Sequence, residues 1–442
     1  MSDLKIFISD STSLKDAKLA FFQLTFLMIG LSLLIDAING YFLSGLGLDP
    51  KLSALFKFIL ISLALFQIGA YAPKVLAFVL VFFILMLIGP IISFFETLSL
   101  AGFVDDVTTG LKIYTAMIIF IYVALVCHKW PLLVQKYGKW CLIFAFIVLS
   151  ANIVLGVLGF GFSSYGDIDS DSSSAIGIKG FFYAANEVSG IFIVLFGSVL
   201  HLLWQKRRVL YVLFSPLVLL TAVLIATKAA MLAAAMLIFA IPLFNERHKL
   251  LNLTWLKVKM ILPVIVVMII LLIVLVPIFE STGLWNRFIW FYEKKGIIGI
   301  ILSGRDEFIV SALDAYMRYA NLTDILFGLS KAGLGLITKN TIEIDPIDMY
   351  LWHGISGILL FLTYLAIFFR VSYLSAVNKD SEWGPAVLLI NIVLFAVSII
   401  AGHIFTSGML APLLGLINGL AYADYILSGI KEFPLADKAL AK

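Results

Sequence analysis

The sequence predicts an all-α, polytopic integral membrane protein with about 12 transmembrane helices and one large outer loop carrying short helices. Three observations lead there. Hydrophobic residues make up 62% of the chain and charged residues only 13%, a balance outside the range of soluble domains. The apolar residues gather in runs long enough to cross about 30 Å of hydrocarbon, which takes roughly 20 residues of helix. Between those runs, Lys and Arg concentrate on alternate connections. Residues 1–442 read as a single polytopic membrane domain, with 280–350 as the large extracytoplasmic loop within it.

The runs follow in order. The first, 19–38, is too long for a signal-peptide core and has no small-residue cleavage site after it, so it is expected to stay as an anchor. Runs at 53–70, 75–94, 113–127 and 140–160 succeed it across short connections. After a longer connection, 161–183, come 184–203, 209–226, 229–244 and 260–279. The large loop then precedes 351–370, 385–403 and 409–428. With the N-terminus inside, the inner segments hold nineteen Lys and Arg against four in the short outer loops. Both termini are therefore expected in the cytoplasm. Cys127 and Cys141 then lie at the inner ends of neighbouring helices, where thiols stay reduced, and imply no disulfide or Cys-based metal site. The sequence pI near 8.8 reflects this orientation and calls for no nucleic-acid partner.

Two outer segments stand out. In 161–183, "GDIDSDSSS" spaces Asp167, Asp169 and Asp171 like a calcium loop. No Gly follows at the sixth position and no acid at the twelfth, so a solvated loop is the better reading. In the large loop, "SGRDEFIVSALDAYMRYA" (303–320) reads as an amphipathic helix, with Phe308, Ile309, Ala312, Leu313, Tyr316 and Met317 at helical spacing. Ser303 suits its N-cap, and Asp306 a capping-box place. Arg305 is the misfit, because a cation in the first turn opposes the helix dipole by about 0.3–1 kcal/mol. Two readings stay open on the residues alone: a phosphate clamp beside free helix amides, or a surface partner of Asp306 or Glu307.

Further on, "TIEIDPIDMYLWHGISG" (341–357) holds three carboxylates ahead of an apolar run. Asp345 suits an N-cap, Pro346 the first helical position and Asp348 the third, so capping accounts for both aspartates. Glu343 precedes the cap and has no such explanation. His353, eight residues on, falls about 12 Å down the helix, in the outer leaflet, where a lone His more often packs than reacts.

Ionisable residues inside apolar runs are costly and usually mark function. Asp36 and Lys57 suit an ion pair near the outer ends of the first two helices. Glu187 opens the sixth from outside, Lys228 sits at the turn between the seventh and eighth, and His403 ends the eleventh at the same level. Only Asp424 lies near the inner face, within reach of water. Alternating-access transport would place such groups nearer the midplane.

The stretches "GFFYAANEVSGIFIVLF", "IATKAAMLAAAML", "LSGRDEF", "DILFGLSKAGLG" and "IEIDPIDMYLWHGISGILLFL" occur in an order that resembles the O-antigen ligase and polymerase superfamily. These are bacterial membrane glycosyltransferases that assemble surface polysaccharides. The resemblance covers roughly 180–370, and the flanking helices match only in number and hydropathy. It implies about twelve helices, a large outer loop between the ninth and tenth, and sugar donors linked to undecaprenyl pyrophosphate, with no cofactor and no metal. The chain has no P-loop, dinucleotide fingerprint or HExxH.

By this resemblance Arg305 matches the loop arginine that binds pyrophosphate, and Lys228 a basic residue after the seventh helix. Ligases of the family carry a His roughly eleven residues before the Gly-x-x-Gly of the tenth helix. Counting back from Gly354 and Gly357 lands on Glu343, a departure that favours the polymerase-like branch and its acidic E-x-D arrangement. Glu343, then Asp345, with His353 next in line, are the candidate bases; Glu187 and Asp348 are further candidates.

The expected function is joining of undecaprenyl-pyrophosphate-linked oligosaccharide repeats to an acceptor glycan at the outer face of the bacterial cytoplasmic membrane. The expected partners are those two glycans, the lipid bilayer and a chain-length regulator protein. A ligase moving finished glycan to a lipid or protein is the alternative, and a lipid-linked oligosaccharide flippase the third.

Overall fold

The computed structural model describes residues 2–165, 176–247, 269 and 284–432. It is an all-α membrane protein. Its helices are α1 (Ser2–Leu46), α2 (Leu52–Tyr71), α3 (Pro73–Thr97), α4 (Leu100–Cys127) and α5 (Pro131–Val157), followed by α6 (Ala185–Lys206), α7 (Arg208–Ile225) and α8 (Lys228–Asn245). Four more, α9 (Leu284–Leu302), α10 (Arg305–Tyr319), α11 (Leu322–Phe327) and α12 (Ser330–Ile337), lead to α13 (Asp345–Val377), α14 (Gly384–Ile400) and α15 (Ala411–Glu432). A two-stranded antiparallel hairpin, β1 (Phe162–Tyr165) with β2 (Ile176–Gly180), is the only sheet among the described residues. The acidic turn with Asp167, Asp169 and Asp171 lies outside them.

The starts of these helices follow local chemistry. Pro73, Pro131, Pro346 and Pro385 occupy first-turn positions, where a missing N–H costs nothing. The Ser99 hydroxyl accepts from Gly102 N at 3.1 Å, and the Thr227 hydroxyl from Ala230 N at 3.1 Å, satisfying amides that α4 and α8 cannot pair internally.

Nine helices among the described residues are long and apolar enough to cross a membrane. The sequence leads one to expect about twelve. Of the other runs, 260–279 lies, except for residue 269, outside the described residues, and α14 is 17 residues long. The last, α15, carries Asn418 and Asp424 and is not among the nine. It nevertheless runs through the centre, against α4, α5, α13 and α14. Gly415 and Gly419, four residues apart, bring its backbone against Ala116, Ile119 and Val123 of α4, where a side chain would collide. Asn391 of α14 and Asn418 of α15 exchange amide hydrogen bonds at 2.9 and 3.3 Å. Polar groups without partners would cost several kcal/mol in hydrocarbon, so the pair locks the two helices in one register.

The connections sort into two ends. At one end Asp36 pairs with Lys57 at 2.6 Å, as expected, and the hairpin is pinned to α7 by Ser164, whose hydroxyl donates to Ile225 O at 2.7 Å. The same end carries α10, α11 and α12. At the opposite end Lys139 pairs with Glu382 at 3.2 Å and Arg208 with Glu246 at 3.3 Å. Asp424 also lies there, but it does not reach water. It is buried, and accepts from the Ser381 hydroxyl, Gln135 and the Trp383 amide.

Helix α13 is not one straight element. At Gly354 (φ 61°, ψ −153°) it breaks, leaving 345–353 as a separate first segment. The turn at Phe327–Gly328 fills the notch, pressed between Gly89 of α3 and the Trp352–His353 backbone. Only glycine allows that contact, since a Cβ at 328 or 354 would meet backbone on the other side. A small apolar core of Ala312, Tyr316, Leu334, Ile342, Leu351 and Trp352 joins α10 and α12 to this segment.

If the Lys and Arg bias sets orientation, the α10–α12 end faces away from the cytoplasm. Cysteines replacing exposed Leu48 and Asn340 should then react with an impermeant thiol reagent in cells with a permeabilised outer wall, and one replacing exposed Lys379 should not. Cys127 and Cys141 are buried and leave a quiet background. Labelling at 379 without labelling at 48 and 340 would invert the topology.

Candidate functional site

The site begins at two turns. Sequence alone places Ser303 at the N-cap of α10, but the helix starts at Arg305 after Gly304 (φ 85°), and no side chain caps it. Ser303 (φ 55°) instead accepts from Lys228 Nζ at 2.8 Å. That bond ties the start of α8 to the start of α10. Asp306 and Glu307 are not partners of Arg305; both pair with Lys295, at 2.6 and 2.7 Å.

Arg305 points to the second turn. Its Nη2 donates to Glu343 Oε2 at 2.7 Å, with the guanidinium side chain 13% and the carboxylate 30% exposed. Lys339 meets the other oxygen, Oε1, at 3.3 Å and also lies 4.1 Å over the Phe308 ring. Burial by itself would raise the Glu343 carboxyl. Arg305 first, then Lys339 and His403, outweigh it and hold the group below the ordinary carboxylate range. The clamp and the base, read separately from sequence, are an ion pair.

Glu343 is held in a rare backbone conformation (φ 67°), of the kind that costs a non-glycine residue of order 1–3 kcal/mol. Three contacts enforce it. Ile342 N and Glu343 N donate to the two oxygens of Asp348 at 2.7 and 3.0 Å. The Glu343 carbonyl lies so close to Gly402 that a side chain there would overlap it. His403 follows in the same left-handed region (φ 56°) and faces Glu343 and Asp345 electrostatically.

Asp345 is not the N-cap of α13. Ile344 takes that place, and Asp345 is the first helical residue. Its fully buried carboxylate reaches across to the α14–α15 connection: Oδ2 accepts from Ile404 N and Phe405 N, each at 2.9 Å, and Oδ1 from the Thr406 hydroxyl at 3.3 Å. The same connection is held from behind by α6. Asn186 Nδ2 donates to Ala401 O at 3.2 Å, and Glu187 Oε2 accepts from the Ser407 hydroxyl at 2.6 Å and Met409 N at 3.2 Å. Glu187, Asp345 and Asp348 thus hold backbone in place.

His353 ends the first segment of α13, buried beside the Phe327–Gly328 turn. Neither ring nitrogen makes a sound hydrogen bond among the described residues, and the Met86 backbone of α3 is the polar group that bears on it. The structure therefore gathers Arg305, Glu343 and, through Ser303, Lys228; it leaves His353 apart. Sequence reasoning did not single out Lys339 or bring His403 to Glu343. The spacing of four between Lys339 and Glu343 is visible in the sequence, whereas the approach of 402–403 is wholly long-range. Among the described residues no group of three or more His, Cys, Asp and Glu could hold a metal ion.

A scan against protein-family models, a search of curated proteins and a search of solved structures return no match to this chain.

The two aspartates differ in what asparagine can replace. In Asp345→Asn the amide oxygen can still accept from Ile404 and Phe405, while its NH2 donates to the Thr406 hydroxyl. In Asp348→Asn one backbone N–H must face an NH2, a loss of about 1–3 kcal/mol. Thermal unfolding in detergent should rank wild type, Asp345→Asn and Asp348→Asn in that order, with Asp345→Ala well below Asp345→Asn. Equal melting of both asparagine variants would refute the assignment of these bonds.

Proposed function

We propose that the chain is a polysaccharide polymerase of the bacterial cytoplasmic membrane, with about twelve spans and the α10–α12 end outside. It joins undecaprenyl-pyrophosphate-linked oligosaccharide repeats to an acceptor glycan. The observation that carries this reading is the pairing of Arg305 with Glu343 at 2.7 Å, the Glu343 turn being held by Asp348 and backed by the connection that Asp345 fixes. A planar cation suited to two phosphate oxygens stands beside a carboxylate suited to take a proton.

In the reaction, an acceptor hydroxyl attacks the anomeric carbon of the donor. The new glycosidic C–O bond forms as the bond from that carbon to the pyrophosphate oxygen breaks. Glu343 takes the hydroxyl proton, and undecaprenyl pyrophosphate leaves with the bonding pair. Arg305 neutralises charge that grows on the leaving oxygens, and Lys228, anchored to Ser303, adds positive potential beside it. Pyrophosphate is a good leaving group and needs no general acid. Asp345 is a poor base because both its oxygens already accept hydrogen bonds. His353 is buried away from the pair. Exposed Val310, Met317, Tyr319 and Leu322 offer an apolar surface near the site to lipid or a polyprenyl tail.

Reconstituted with lipid-linked repeats, the wild type should make a product ladder; a single transfer would indicate a ligase, and no product a flippase. Glu343→Gln should abolish extension while the protein stays folded, since the acceptor proton loses its destination. Arg305→Ala should cut extension severely while the protein stays folded, since Glu343 keeps Lys339 as a partner. Arg305→Lys should recover only part, having charge without the fork. Full extension by Glu343→Gln would remove the base from this site.

A further inference from the structure

The pairing that carries the proposed function also raises a difficulty for it. The guanidinium expected to receive the donor's pyrophosphate is already engaged. Glu343 takes Nη2 of Arg305 with one oxygen and Lys339 with the other, so the two cations and the carboxylate form a closed triad. The rest of the fork is weakly used. Nη1 makes only a long bond, 3.4 Å, to Leu302 O, and Nε is buried with no hydrogen bond among the described residues.

We infer that Arg305 and Lys339 together form the seat for the donor pyrophosphate, and that Glu343 fills this seat as an internal counter-anion which the donor must displace. The inference rests on the donor reading above. It adds Lys339 to the binding residues and couples donor binding to release of the base.

Geometry supports the coupling. Both cations meet the same carboxylate, so an anion placed between them competes with it directly. A pyrophosphate carries more charge and more acceptor oxygens than one carboxylate, and Arg binds such groups through two parallel bonds. Glu343 cannot leave the site when displaced. Its amide is held by Asp348 and its carbonyl is backed by Gly402, so only the side chain can swing. A carboxylate shared by two cations is also a weak base. Once those cations are neutralised by pyrophosphate, the nearby negative charge strengthens Glu343 as a proton acceptor. The base is thus idle while the site is empty and active when the donor is seated.

The test is equilibrium binding of farnesyl pyrophosphate, a short polyprenyl pyrophosphate, to the full chain in detergent by titration calorimetry, with thermal melting run alongside. Glu343→Gln, which is inactive under the proposed function, should bind the probe about three- to tenfold more tightly than wild type. Lys339→Gln should bind it more weakly by a similar factor. The gain from Glu343→Gln should vanish in an Arg305→Gln background, since the competition is for that fork. Glu343→Ala is read in the same way should the glutamine variant fail to fold. Unchanged or weaker binding by a folded Glu343 variant, or unchanged binding by Lys339→Gln, overturns the inference. If wild type does not bind the probe, or Arg305→Gln binds it normally, the donor reading itself fails. Arg305-dependent binding that Glu343→Gln leaves untightened overturns the inference and leaves the donor reading standing.

Discussion

The Asp345 carboxylate, closed over the amides of Ile404 and Phe405, is the interaction on which the rest of this end depends. It joins the first segment of α13 to the connection between α14 and α15, two parts of the chain separated by about sixty residues. Through that joint Gly402 is pressed against the Glu343 carbonyl and His403 is brought to its side. Asp348 then uses both oxygens to hold the turn from within. The strained backbone at Glu343 persists because these neighbours over-determine it. Asn186 and Glu187 hold the same connection from the α6 side.

The two ends of the bundle use polar groups differently. At the Lys139–Glu382 end, charges and carbonyls close the gaps between helices: His201 meets Glu382 O at 2.6 Å, Arg247 meets Asn378 O at 2.5 Å, and Asp424 gathers three donors. Each of those contacts ends in a backbone or side-chain partner that is itself structural. At the α10–α12 end, the Arg305–Glu343–Lys339 triad sets one carboxylate between two cations, and the Arg305 fork retains unused donor capacity.

The wedge at Gly328 and Gly354 connects these observations. It seats the α11–α12 turn between α3 and α13, and Lys331 pairs with Asp105 at 2.9 Å while Ala332 N donates to Asp106 at 2.9 Å. The loop helices are therefore anchored on α3, α4 and α13 and do not hang freely. A rigid support of that sort is what a site needs if two long side chains are to meet at 2.7 Å.

The sequence by itself determined the helical class and nearly all the apolar elements, and it marked Glu343 and Arg305 as charges that local capping leaves unexplained, because hydropathy runs and misfit charges are local properties. The Asp36–Lys57 pair was legible for the same reason, lying at matching depths on consecutive helices. Capping geometry misled at Ser303 and Asp345, since local propensity cannot see that Lys228 and the Ile404 and Phe405 amides compete for those oxygens. Asp424 misled likewise, its depth readable but its three donors not. Only the tertiary structure decided that Arg305 and Glu343, 38 residues apart, are partners, and that Lys339 shares the carboxylate. The reason is physical: which charges meet depends on where packed glycines let one backbone cross another, and those close approaches leave no trace in the spacing of a single chain.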